Sequence, residues 1–247
     1  QLQAVVGANA ISANLPAYRL AIVTAGTNTL STAAPIQTLV DTANTNATNE
    51  ITNINTAAGN TSAANAITLA QLQAVVGANA ISANLTAYRA AIAGNNVNSL
   101  STTALIKTLV DGVNAAITAI TAINGAANNT NAANAIALAQ LQAVVGADAN
   151  NANLAVYRLA IFNAGTDTLS TAAPIQNLVD TSNTNATNEI TNINAAAGDT
   201  SLANAITLAQ LQAVVGANAI SANLAAYQLA IAGAGDLSTT ALIKTLV

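Results

Sequence analysis

The chain has 247 residues, 53% of them hydrophobic but only 6% charged, with a net charge of −4, where an ordinary soluble domain carries about a quarter charged residues. With no basic or acidic run, attraction to nucleic acid or to an anionic membrane has little to act through, and neither partner is expected. Cysteine and histidine are both absent, which excludes a disulfide framework, thiol chemistry and imidazole acid–base catalysis. Polar residues or Gly interrupt every hydrophobic stretch, so no membrane insertion is expected.

The string Gln-Leu-Gln-Ala-Val-Val-Gly begins at Gln1, Gln71, Gln140 and Gln210. A Leu, a Tyr and an Ile follow at the same offsets each time: Leu15, Tyr18, Ile22; Leu85, Tyr88, Ile92; Leu154, Tyr157, Ile161; Leu224, Tyr227, Ile231. Recurrence at such a period points to a repeat array. The copies are residues 1–70, 71–139, 140–209 and a truncated 210–247. The first and third share Ala-Ala-Pro-Ile-Gln, and the second and fourth share Thr-Thr-Ala-Leu-Ile-Lys-Thr-Leu-Val. The order is therefore A-B-A-B, with a pair length of 139 residues. Starting inside one helix-like pattern at Gln1 and stopping inside another at Val247, the chain reads as an excerpt of a longer one.

Three helices are predicted per copy. The first is seen whole at residues 63–76, with Thr61 or Ser62 as N-cap and Gly77 in the left-handed position that ends a helix. Its Ile67, Leu69, Leu72, Val75 and Val76 cover most of the circumference, which predicts the deepest burial. The second begins near Ser12 or Asn14, tolerates Pro16 in its first turn and closes near Gly26, with Leu15, Tyr18 and Ile22 on one face. The third starts after Ser31 and Thr32, carries Pro35 in its first turn and continues to about Ala58. Its seam is Ile36, Val40, Ala43, Ala47, Ile51, Ile54 and Ala58, and its middle, Asn44 to Asn49, is rich in weak helix formers. The fold class expected is all-α: tandem three-helix modules of about 70 residues, stacked into an elongated rod or fibre because the first helix has more than one apolar face to cover.

Candidate chemistry is sparse. Without His or Cys, a serine nucleophile would need Lys107 or Lys244 as its base, and neither lies in a nucleophile motif, so no catalytic or cofactor-binding residue is assigned. Asp148, Asp167, Asp199 and Asp236 stand singly in turns, which suits caps better than a Ca2+ site, and no metal is expected. Arg19 and Asp41, Arg89 and Asp111, and Arg158 and Asp180 are each 22 positions apart. They are either intramodule ion pairs or independently solvated charges. Glu50 and Glu189 occur only in A copies, Lys107 and Lys244 only in B copies, so complementary charges are candidates for specifying A-to-B contacts. Thr38, Thr42, Thr45, Thr52 and Thr56 form a helical stripe resembling the Thr rows of ice-binding helices, but other copies break it at Asn177, Gly112 and Ala115. Asn-x-Ser/Thr triplets arise by chance in so Asn-rich a chain.

The stretch from Thr68 through Gln-Leu-Gln-Ala-Val-Val-Gly, then residues 83–92 with Leu85, Tyr88 and Ile92, then residues 104–111, resembles helical repeats of very large bacterial surface proteins. The resemblance covers all four copies. It implies a secreted or cell-surface location and a stalk, adhesin or fibre role, and it transfers no catalytic or ligand residues. The function expected is a structural repeat region of an extracellular fibre or adhesin that associates with itself; the alternative is a repeated binding module for a host protein, glycan or surface.

Overall fold

The structure, a computed structural model, describes residues 1–26 and 28–247. They form fifteen α-helices joined by short turns, with no strand among the described residues. The chain divides into two compact units, Gln1–Asn114 and Ala115–Val247, and the division falls within one helix. The first unit holds α1 (Leu2–Val6), α2 (Leu15–Ala25), α3 (Ala33–Ala57), α4 (Thr61–Ala66), α5 (Leu69–Val76), α6 (Leu85–Gly94) and the start of α7 (Thr103–Gly125). The second holds the rest of α7, α8 (Thr130–Ala135), α9 (Leu138–Val145), α10 (Leu154–Asn163), α11 (Ala172–Ala196), α12 (Thr200–Ala205), α13 (Leu208–Val215), α14 (Leu224–Ala232) and α15 (Thr240–Leu246).

The helix expected over 63–76 is two helices. Asn60, not Thr61 or Ser62, caps α4 by accepting from the Ala63 N–H at 3.1 Å. The chain then turns extended at Ile67 and Thr68. A capping box restarts it: the Thr68 hydroxyl accepts from Gln71 N–H at 3.3 Å, and Gln71 Oε1 accepts from Thr68 N–H at 2.8 Å. Two short helices meeting at this elbow place Ala64, Ile67, Leu72, Val75 and Val76 in one core. By contrast α3 is unbroken through its Asn-rich middle, and its buried Val40, Ala43, Ala47, Ile54 and Ala57 follow the predicted seam closely.

Each unit contains two hydrophobic clusters that share one long helix. The first half of α3 gives Val40 and Ala43 to a cluster with Val6, Ala10 and Tyr18. Its last turns give Ile54 and Ala57 to another cluster, with Leu72, Val75, Tyr88 and Ile92. Likewise α11 gives Ile175 and Val179 to a cluster with Leu141 and Tyr157, and Ile193 and Ala196 to one with Leu211, Val215 and Ile231. Cores and sequence copies are thus out of phase.

Contrary to the hydropathy expectation, α7 is long and apolar enough to cross a membrane by length and composition, with a mean hydropathy of 1.3 over its best window. Its Ile106, Val110 and Ile123 are nevertheless fully buried against protein.

The end of α5 packs closely on α2. Gly77 has φ +61° and ψ −143°, a region outside the left-handed helical well that only glycine occupies readily. A Cβ there would lie 2.2 Å from the Pro16 carbonyl oxygen, and one on Gly216 would lie 2.3 Å from that of Ala155. Gly7 has the same φ but no neighbour within 4 Å of such a Cβ. Gly77→Ala is therefore expected to lower unfolding stability by about 1–3 kcal/mol more than Gly7→Ala, the cost of overpacking added to that of the backbone. Chemical denaturation of the two variants measures the difference.

Candidate functional site

The polar groups gather into recurring contacts between helices. In the first, a tyrosine and two asparagines are knotted together. Tyr88, fully buried on α6, donates its hydroxyl proton to Asn114 Oδ1 on α7. Asn84 Nδ2 donates to the same oxygen at 2.7 Å, and Asn114 Nδ2 donates to the Asn79 carbonyl at 2.9 Å. The Tyr88 oxygen also accepts from Ile81 N–H at 3.2 Å. The same bonds join Tyr18, Asn14, Asn44 and Asn9, and again Tyr157, Asn153, Asn183 and Asp148. Asn14 stands at the N-cap position of α2, as expected, but makes no capping hydrogen bond with its side chain; its amide reaches across to α3. Among the described residues no buried side-chain polar atom lacks a partner, as a buried polar network requires.

These knots explain why an asparagine sits in the interior of each long helix despite its poor propensity: Asn44 closes three contacts, whereas Asn49 is exposed on the same helix. Asn44→Ala is expected to lower stability by about 1–3 kcal/mol by orphaning its partners, and Asn49→Ala to raise it by roughly 0.5 kcal/mol through helix propensity. Thermal unfolding of the two variants should shift in opposite directions.

The second contact occupies the arginines for which ion pairs with Asp and independent solvation were the two alternatives. Arg89 Nε donates to the Ile67 carbonyl at 2.7 Å and Arg158 Nε to that of Ile136 at 2.9 Å, both oxygens freed by the break at the elbow. Gln228 Nε2 does the same for Ile206 at 2.8 Å. Arg19 is exposed, and the position 22 residues before it precedes Gln1. The acids are held otherwise: Asp41 by Gln37 at 2.8 Å, Asp180 by Gln176 at 2.9 Å, and Asp111 by Lys107 in the one ion pair among the described residues. The structure thus brings none of the three Arg–Asp pairs together: Arg89 and Arg158 turn to the elbow carbonyls, and Arg19 is exposed. A double-mutant cycle on Arg89 and Asp111 is expected to give a coupling below about 0.3 kcal/mol, the level of independent sites. Arg89→Gln should retain most of the stability that Arg89→Ala loses.

Glu50 and Glu189 do not meet Lys107 or Lys244. Glu50 accepts from Gln71 Nε2 at 2.8 Å and from Asn53 Nδ2 at 2.7 Å. Glu189 accepts from Gln210 at 2.9 Å and Asn192 at 2.8 Å. Each carboxylate therefore binds the glutamine that opens the following B copy. Lys244 Nζ instead donates to the Ala152 carbonyl at 2.9 Å.

Two of the isolated acids serve a cap and a turn and two join separate elements, Asp148 by accepting from Gln176 at 2.9 Å. Asp199 caps α12 through the Ser201 and Leu202 amides at 2.8 and 3.0 Å, and Asp167 accepts from Asn124 at 3.2 Å. Ser238, by side chain and backbone N–H, holds the exposed Asp236 carboxyl below the usual range. Among the described residues no three His, Cys, Asp or Glu side chains gather as metal ligands would. The Thr stripe bonds inward, with Thr38, Thr45, Thr52 and Thr56 each donating to the carbonyl four residues earlier.

Two open clefts occupy equivalent places in the two units. One, of about 920 Å³, lies between α2, α3 and α5 and is lined by Leu20, Ala21, Pro35, Leu39 and Thr42 among others. The other, of about 570 Å³, lies between α10, α11 and α13, narrowed where Val156 and Ser182 stand for Ala17 and Ala43. Both offer aliphatic surface edged by amides and hydroxyls. No protein-family model, curated protein or solved structure matches the chain.

Proposed function

We propose that the chain is a structural repeat region of a secreted or cell-surface fibre or adhesin, built of stacked helical modules that give length and contact their own kind. The observation that carries this reading is the sharing of α3, and again of α11, between two cores. A helix committed at both ends to different cores transmits load and register along the chain, as stacked helical arrays do. Neutral polar surfaces suit side-by-side association, since at 6% charge identical chains repel one another little. The likeness to helical repeats of large bacterial surface proteins supports an extracellular or cell-surface setting, and the role assigns no cofactor, nucleic acid or membrane-inserted segment.

A second reading, a repeated binding module for a host protein, glycan or surface, draws on the two equivalent apolar clefts, because repetition of one site gives avidity. Electron microscopy of native material separates the two. Filaments with an axial repeat matching one module or one A-B pair are expected; dispersed monomeric rods that bind a defined ligand would replace the first reading by the second.

A further inference from the structure

Among the long helices, α3, α7 and α11 are each pinned near their end by one asparagine. On α3, Asn55 Oδ1 accepts the Leu100 N–H at 2.9 Å, and its Nδ2 donates to Asn98 Oδ1 at 3.2 Å. On α7, Asn124 Oδ1 accepts the Leu169 N–H at 3.1 Å, and its Nδ2 donates to the Asp167 carboxylate at 3.2 Å. On α11, Asn194 Oδ1 accepts the Leu237 N–H at 2.7 Å.

The residue after the asparagine differs. Asn55 precedes Thr56 and Asn194 precedes Ala195, whereas Asn124 precedes Gly125 in the only Asn-Gly pair of the chain. Neither packing nor backbone geometry calls for glycine there. A Cβ on Gly125 would meet nothing within 4 Å, and its φ is not positive. What glycine supplies is an unshielded amide nitrogen. A side chain at this position would shield that nitrogen and restrict the rotation that brings it to the asparagine Cγ, and glycine does neither. Gly125 is exposed and ends α7, where a helix frays most readily.

We propose that Asn124 is a site of spontaneous deamidation, held in check by its bonds to the turn at 167–169, and that its product loosens that turn. Gly125 N attacks Asn124 Cγ and the new bond closes a succinimide ring. The Cγ–Nδ2 bond breaks, and Nδ2 leaves as ammonia with the proton lost by Gly125 N. Water then adds to either ring carbonyl, and opening of the ring leaves aspartate or isoaspartate. The net exchange is amide and water for acid and ammonia, with no oxidant or cofactor. While the pin holds, both polar atoms of the Asn124 side chain are occupied, so they must be released before the attack. The acid formed at 124 faces the Asp167 carboxylate where an amide proton was shared, and attraction becomes repulsion. The chemistry does not depend on the structural role proposed above.

The test incubates the whole chain at mildly alkaline pH, digests samples in time and maps every asparagine by mass, with aspartate and isoaspartate separated by fragmentation. Asn124 is expected to convert before any other asparagine and to give both products. Gly125→Ala, which the open space around residue 125 accommodates, should stop the conversion. Asp167→Gly removes one partner while suiting the φ of +62°, and should speed conversion about five-fold, the weight of one hydrogen bond. Asn124→Asp should lower the unfolding temperature, and Asp167→Asn added to it should restore it, since Asn98 holds that place opposite Asn55. First conversion at another asparagine, an Asn124 that stays intact, or a rate there indifferent to either Gly125→Ala or Asp167→Gly would overturn the proposal. So would an Asn124→Asp chain as stable as the original.

Discussion

In α3 and α11 one continuous helix must satisfy two cores, and neither half is free to choose its own rotation. At 100° per residue, a seam that faces one cluster at Val40 faces nearly the same way at Ile54, because 14 positions span close to four turns. Ala43 and Ala47 between them keep the stripe narrow enough for neighbouring helices to approach. An isolated helix of this length with an Asn- and Thr-rich middle would be marginal in water. It persists because apolar burial acts at both ends and because Asn44 or Asn183 bonds to the tyrosine helix beside its centre.

Scarcity of charge follows from how these helices are joined. Where other proteins use ion pairs, this chain uses carboxamides: Gln71 both caps α5 and reaches Glu50, Asn60 caps α4, and Asn55 pins the loop before α7. Even arginine serves as a hydrogen-bond donor to a carbonyl instead of a partner for a carboxylate. Neutral groups of this kind bring little long-range repulsion between the helices they join.

Periodicity made the long helices legible. The spacing of Val40, Ala43, Ala47 and Ile54 predicts both the helix and its buried face, and α3 follows it. The break at Ile67 is marked by the capping-box order of Thr68 and Gln71, but apolar residues on both sides of the elbow make the stretch read as one helix over 63–76. Tyr and Asn stand 26 positions apart in three copies, a signal as regular as the Arg–Asp spacing, although an asparagine in a helix interior looks like a defect until its partners are seen. The target of Arg89 left no trace, because a backbone carbonyl has no side-chain identity and is freed only by the break. Two interleaved facts stayed hidden for a similar reason: copies are counted from a recurring string, whereas cores are counted from what the two halves of a helix touch.

Hydrogen exchange on the Asn49→Pro variant tests the coupling of two cores through one helix most directly. Proline at this exposed position breaks α3 between its halves while leaving every cluster residue in place. The predicted result is loss of amide protection on both sides, in α2 with the first half of α3 and in α4 and α5. Loss confined to the turn around residue 49, with α2 and α5 as protected as before, would contradict the account.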